Sequence, residues 1–182
     1  MEQAAPGPKD PVETTRLVLT PIGSRDIDQL VLLHSDADVA FWTGQWTREA
    51  TESWVRAMAN RWAEEGVGKW IAHARADRSL VGRGGFTRFD LDGEAVLELG
   101  WTVRDAQRRR GYATEIGQAA LAWAADHEPG TPIVAFTEVH NHASQAVMRR
   151  LGMRLVGEIR RQGLLEGRSG LHPEAPFVLY RV

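Results

Sequence analysis

"QRRRGYATE", Gln107–Glu115, decides how this chain is read. Arg108, Arg109 and Arg110 run into Gly111 and then into a helical stripe of Ile116, Ala119, Ala120 and Trp123 at i, i+3, i+4, i+7. A helix N-terminus carries partial positive charge and favours Asp or Glu, so stacked arginines there oppose the dipole. An isolated charge run usually reads as a solvated turn. This one lies between a strand, "AVLELGWTV" (Ala95–Val103), and a helix. Gly111 removes the side chain where backbone amides must approach a ligand. Helix-start amides, a glycine and several guanidinium groups form an anion site suited to phosphate or pyrophosphate.

Two phosphate fingerprints do not fit. A P-loop ends in Gly-Lys-Ser/Thr, whereas Gly111 is followed by Tyr112, Ala113 and Thr114. A dinucleotide loop needs three spaced glycines after the first strand, and only Gly111 is present.

Working outward, "RLVLTPI" (Arg16–Ile22) reads as a strand, Asp26–Ser35 as a short helix, and Arg48–Glu65 as a longer one. Ala50, Trp54, Met58 and Trp62 form the stripe of the longer helix. "KWIAHAR", "LVGRGGFTRF" and "AVLELGWTV" follow with short polar turns, as antiparallel hairpins require. "IVAFTEV" (Ile133–Val139) is a buried strand, and Asn141 opens a helix that buries Val147, Met148 and Leu151. "RLVGEIR" and "FVLYRV" flank a long loop from about Gln162 to Pro176. The order β-α-α-β-β-β-α-β-α-β-β implies an α/β chain of the α+β type. Its mixed, mostly antiparallel sheet of about seven strands is flanked by helices, with one parallel crossover. The expected organisation is a loose tail, residues 1–14, followed by one domain, residues 15–182.

The chain is 182 residues long, 43% hydrophobic and 25% charged, which suits a single folded core. A net charge of -2 argues against a general nucleic-acid binder. With no cysteine, disulfides, thiolate metal sites and a cysteine nucleophile are excluded. The start reads as no secretory signal, and no apolar run is long enough to span a bilayer. A soluble, cytoplasmic protein without a membrane partner is expected. "HNH" (His140–His142) lacks the i, i+4 pair and further ligands of a helical metal site, so no metal is expected.

Arg108-x-x-Gly111-x-Ala113 resembles the R/Q-x-x-G-x-G/A motif with which GNAT-superfamily N-acetyltransferases grip the pyrophosphate of acetyl-CoA. "ELGWTV" precedes it, "GYATE" continues it, and "NHASQAVMRRLGM" follows one strand later. "TTRLVLTPI", "LVGRGGF" and "FVLYRV" fall in the same order, so the resemblance covers about residues 14–182. It is similar to the branch containing ribosomal-protein-alanine N-acetyltransferases.

The resemblance implies acetyl-CoA as co-substrate and a primary amine, on a protein N-terminus or a small molecule, as acceptor. It places Trp101, Val103, Arg108–Thr114, Asn141 and Ser144 along the donor, with the backbone of Val103 pairing with the pantetheine arm in a splay between the central strands. Glu98 interrupts an apolar strand and has a solvent-facing or arginine-paired alternative. The resemblance makes it the base, acting through water. Where many relatives carry a tyrosine, seven residues past Asn141, this chain has Met148. The resemblance to that branch sets Ser144 against the thioester sulfur. Asn141 also fits a plain helix cap. Trp42 and Trp46, beside Gly44 in the loop "FWTGQWT", together with His172, are the expected acceptor walls. A non-catalytic acyl-CoA sensor stays open as an alternative, as do a monomer and a homodimer.

Overall fold

The computed structural model describes residues 11–182. The strands are β1 (Val12–Glu13), β2 (Leu17–Pro21), β3 (Lys69–Ala74), β4 (Leu80–Leu91), β5 (Glu94–Val103), β6 (Ile133–Glu138), β7 (Arg154–Leu164) and β8 (Leu171–Arg181). The helices are α1 (Ile27–Ser35), α2 (Ala37–Thr43), α3 (Arg48–Glu64), α4 (Tyr112–His127) and α5 (His142–Arg150). Hydrogen-bonded strand order is β1-β2-β3-β4-β5-β6-β8-β7, mostly antiparallel with a parallel β5–β6 step. The chain divides into two compact units. One takes the chain up to Thr87 with Gly100–Pro129; the other takes Arg88–Leu99 with Gly130–Val182.

In the first unit, Ile22, Leu30, Leu33, Val39, Val55, Met58 and Ile71 form a core under α1, α2 and α3. The buried face of α3 is Thr51, Val55 and Met58, while Ala50 is exposed. The expected four-residue stripe drifts because four residues turn a helix past a full revolution. Trp54 and Trp62 pack against the edge of this core. Trp62, Trp70 and Trp123 meet at centroid distances of 5.2, 5.5 and 6.0 Å, tying α3 and α4 to β3. Close approaches fix where α4 rides. A Cβ on Gly84 would fall 2.4 Å from Ile116 Cγ2 and 3.0 Å from the Gly100 carbonyl.

In the second unit, β6 pairs antiparallel with β8, which pairs along its length with β7. The Arg161 guanidinium sits over the rings of Phe89 and Phe136, at 4.7 and 4.6 Å. The segment expected as a long loop is largely paired: Arg161 faces Ala175, Gly163 faces His172 and Leu164 faces Leu171. Only 165–170 form the turn, with Gly167 and Gly170 at positive φ. Edge strand β7 is bulged twice, between Leu155 and Gly157 and between Arg161 and Gly163.

Two elements go beyond the sequence reading. Asp36 opens a seven-residue helix, α2, over what reads as a loop. Val12 and Glu13 pair with Leu19 and Val18. The rest of the expected tail, residues 1–10, lies outside the described residues. No helix among the described residues is long and apolar enough to cross a membrane.

Candidate active site

The arginine loop belongs to the first unit, and its geometry begins at the end of β5. A Cβ on Gly82 would meet the Thr102 carbonyl at 2.1 Å and Val103 Cα at 2.9 Å, so only glycine lets β4 lie this close. The Arg104 N–H donates to the Val81 carbonyl at 2.9 Å, and the chain then leaves the sheet in a short 3-10 turn, Asp105–Gln107.

A chain of acids secures this turn to α2. Arg104 forks onto Asp36 with bonds of 2.9 and 2.8 Å, and the Asp105 N–H adds a third at 3.0 Å. These bonds, that from Arg104 first, hold the Asp36 carboxyl below its ordinary range against the pull of burial. Asp105 shifts the other way, pushed up by burial and then by the Asp36 charge. Its Oδ2 accepts the Asp38 N–H at 3.1 Å, and the Asp38 carboxylate pairs with Arg108. The first motif arginine is thus held by α2, while Arg109 and Arg110 are exposed.

Arg109 has φ 59° and Gly111 φ 81°, both left-handed. For arginine this region is unfavourable, so a non-glycine residue there marks a loop whose shape is imposed by its surroundings. Gly111 is the N-cap of α4 and has no capping side chain. The Glu115 N–H bonds the Gly111 carbonyl at 3.0 Å, leaving the amides of Tyr112, Ala113 and Thr114 without intrahelical acceptors. The dipole conflict raised by the arginines is eased by Glu115, an acid in the first turn. Burial pushes the Glu115 carboxyl up. Bonds from Thr14 and Arg16 outweigh it and hold the group below its ordinary range.

In the second unit, β5 and β6 are registered parallel at Leu97↔Ile133 and Glu98↔Val134. Glu98 is half-buried between the fully buried Leu97 and Leu99. Asn141 is buried and caps α5, its Oδ1 accepting the Ser144 N–H at 3.1 Å. That cap sets Ser144, half-buried, on the first turn of α5. Met148 points into the core and is 2% exposed. The Tyr180 hydroxyl is taken up by Arg149 and Gln145, at 3.0 and 3.4 Å.

The aromatic residues divide differently from the sequence reading. Trp42 lies on α2, not in a loop, half-buried and edge-on to the exposed Phe41. Trp46 is built into packing: it stacks on His34 at 3.6 Å, leans on Trp54 at 5.3 Å, and donates Nε1–H to the Thr43 carbonyl at 3.1 Å. His172 is exposed on β8 opposite Gly163. Trp101 is half-buried on β5.

One cluster goes unseen in the sequence reading. Arg83, buried on β4, donates Nε–H to His34 Nε2 at 3.3 Å and lies 4.8 Å from the Trp54 ring and 5.6 Å from the Trp46 ring. Burial first, and the Arg83 charge second, lower the His34 pKa to about 3, so the ring is neutral. Its Nδ1–H is then left to donate to Thr43 Oγ1, at 3.0 Å. The signal was an arginine inside the glycine-rich apolar strand "LVGRGGF". Among the described residues, no group of three or more His, Asp or Glu is placed to hold a metal ion.

Residues 16–154 match the family described as acetyltransferase (GNAT) domain. The chain is 28% identical over 113 residues to the uncharacterised N-acetyltransferase YjdG of Bacillus subtilis, covering 60% of this chain and 67% of that protein. Among solved structures it is similar to the Salmonella typhimurium acetyl transferase that modifies the N-terminal serine of ribosomal protein L7/L12. That match has TM-score 0.76 and 18% identity, over 95% of this chain and 98% of the other. It is similar also to RimL, a ribosomal L7/L12 alpha-N-protein acetyltransferase in complex with coenzyme A. Here the TM-score is 0.77 and the identity 18%, over 95% and 97% of the two chains. The glycine-started α4, the parallel β5–β6 step and the family match over most of the chain agree, and the protein belongs to the GNAT family of N-acetyltransferases.

Proposed function

We propose that the protein moves an acetyl group from acetyl-CoA to a primary amine by direct attack. The observation that carries this reading is the α4 start, where left-handed Arg109 and Gly111 lead into three first-turn amides without helical acceptors. Such a terminus suits the diphosphate of coenzyme A, with Arg109 and Arg110 adding charge from the rim. The structural neighbour bound to coenzyme A supports the choice of donor.

In the proposed chemistry, Glu98 takes a proton from the acceptor ammonium through water. The free amine attacks the thioester carbonyl, and the Val103 N–H donates to the developing oxyanion. The C–S bond breaks, the sulfur leaves as thiolate hydrogen-bonded by the Ser144 hydroxyl, and it then takes the proton that the new amide nitrogen gives up, leaving as the free thiol. Trp101 and Asn141 complete the donor-side set. Of the expected acceptor contacts, Trp42 is the best supported, because Trp46 is stacked on His34. His172, at the exposed end of the β7–β8 hairpin, keeps a proposed role at the rim. The acceptor is an α-amino group of a peptide or a small amine; the L7/L12 enzymes favour the former.

Free-thiol release from acetyl-CoA, measured across N-terminal peptides, amino acids and amines, tests this reading. Turnover with one acceptor class is expected. Tight coenzyme binding with no turnover on any amine would instead support an acyl-CoA sensor.

A further inference from the structure

We infer that Arg16 is a positioning residue of the donor loop, holding the Arg110–Gly111 peptide in the orientation that presents the start of α4 to a diphosphate. The inference rests on the donor reading above and adds to it a residue nearly a hundred positions away in sequence.

One side chain reaches both sides of Gly111. Arg16 Nη1–H donates to the Arg110 carbonyl at 2.8 Å, and Nε–H donates to Glu115 Oε2 at 2.7 Å. Nη2 closes an ion pair with the same carboxylate at 2.6 Å. The guanidinium also covers the Tyr112 ring, 4.5 Å from its centroid. Neighbouring groups reinforce the contact: the Arg16 N–H and the Thr14 hydroxyl both donate to Glu115 Oε1, at 2.9 and 2.6 Å. The turn between β1 and β2 is therefore clasped to the first turn of α4.

The consequence follows from peptide geometry. In a planar trans peptide the C=O and the following N–H point in opposite directions. Tying the Arg110 oxygen to Arg16 turns the Gly111 N–H the other way and fixes a rotation that glycine would otherwise leave loose. The Glu115 contacts set the helix phase from the other side. Bulk charge does not explain this arrangement, since any cation could pair with the Glu115 carboxylate, which is 13% exposed against 44% for Arg16. Geometry does, since the guanidinium fork fits a carbonyl and a carboxylate at once. A lysine ammonium cannot span both in that way.

The test compares wild type, Arg16→Ala, Arg16→Lys and Glu115→Gln, with calorimetric titration of coenzyme A, acetyl-CoA kinetics and melting temperature. Both Arg16 variants should weaken coenzyme binding and raise the acetyl-CoA KM roughly tenfold. At saturating acetyl-CoA, kcat should stay within about twofold, because donor binding is largely uniform between ground and transition states. Glu115→Gln, which keeps the shape but loses the charge, should shift KM in the same direction by less. Full recovery by Arg16→Lys would reduce the role to bulk charge and overturn positioning, as would unchanged coenzyme binding in all three variants. If Arg16→Ala fails to fold, Arg16→Lys and Glu115→Gln decide the matter by the same measurements. Failure of the wild type to bind coenzyme A would overturn the donor reading itself, a result distinct from equal binding by wild type and variants.

Discussion

The carboxylate of Asp38 is paired with the guanidinium of Arg108, so the first motif arginine is anchored to α2. The pair joins a helix that carries Trp42 to the loop that precedes α4. Both side chains are partly exposed, at 61% and 35%, so their attraction contributes little to stability, within about 1 kcal/mol. Its value lies in loop shape. Arg108→Ala should raise the acetyl-CoA KM several-fold with little change in kcat. Asp38→Ala should do nearly the same, and the double variant should be no worse than either alone. Additive effects in that cycle would show that Arg108 acts on the donor independently of Asp38.

Glu98→Gln should lower kcat/KM most at the acid end of the pH profile. There the acceptor is almost wholly ammonium and depends on a base, whereas at high pH free amine is supplied by solvent. A profile that is lowered evenly, or not at all, would remove Glu98 from the proton path.

Ser144→Ala tests the departing sulfur. Loss of one hydrogen bond to a developing thiolate should lower kcat about tenfold and leave the acetyl-CoA KM nearly unchanged. The Asn141 cap on the Ser144 N–H is untouched by this change, so α5 should stay folded, as circular dichroism can verify.

His34 links folding to pH. Its folded pKa is depressed to about 3, below the ordinary 6.5 of an unfolded chain. Between these values the unfolded chain takes up a proton that the folded chain refuses, so stability is complete above about pH 6.5 and falls as pH drops. About 2 kcal/mol should be lost by pH 5, because each unit contributes about 1.4 kcal/mol. Urea titrations at pH 7.5 and 5 should reveal this loss in wild type and a smaller one in His34→Gln. Parallel behaviour of the two proteins would contradict the assignment.

Gly84→Ala tests how tightly α4 is seated. The new methyl would lie 2.4 Å from Ile116 Cγ2 and 3.0 Å from a backbone oxygen, so the helix or strand must shift. A loss of about 1–3 kcal/mol is expected from chemical denaturation. Neutrality would mean that α4 can rise freely.

Much of the fold was legible because its signals are local. The stripe from Ile116 to Trp123 and the strand runs around residues 69–103 carry their own periodicity. Gly111 and Asn141 announced helix starts, and both occupy N-cap positions. Features set by distant partners were harder to read. Helix α2 is only seven residues long, too short for a period to emerge, and Trp42 was therefore read as a loop residue. The β7–β8 hairpin outruns its apolar segments because pairing continues through exposed polar positions such as Arg160 and His172, where no apolar alternation marks it. Nothing local in "TTRL" points to Arg110 or Glu115, and nothing local in "LVGRGGF" points to His34. The candidate site residues are legible only through a family pattern, and the contacts of Arg16 and His34 only through the fold.

The two bulges of β7 have a consequence for how copies of this molecule behave in a concentrated solution. An edge strand with Leu155 and Val156 outward, each 59% exposed, is a template on which another chain can add in register. A bulge breaks that register within a few residues, and β7 carries one near each end. The edge is therefore poorly shaped for growth, and its two misplaced residues add to the exposed charges of Arg154, Glu158 and Arg160 in protecting against fibre formation.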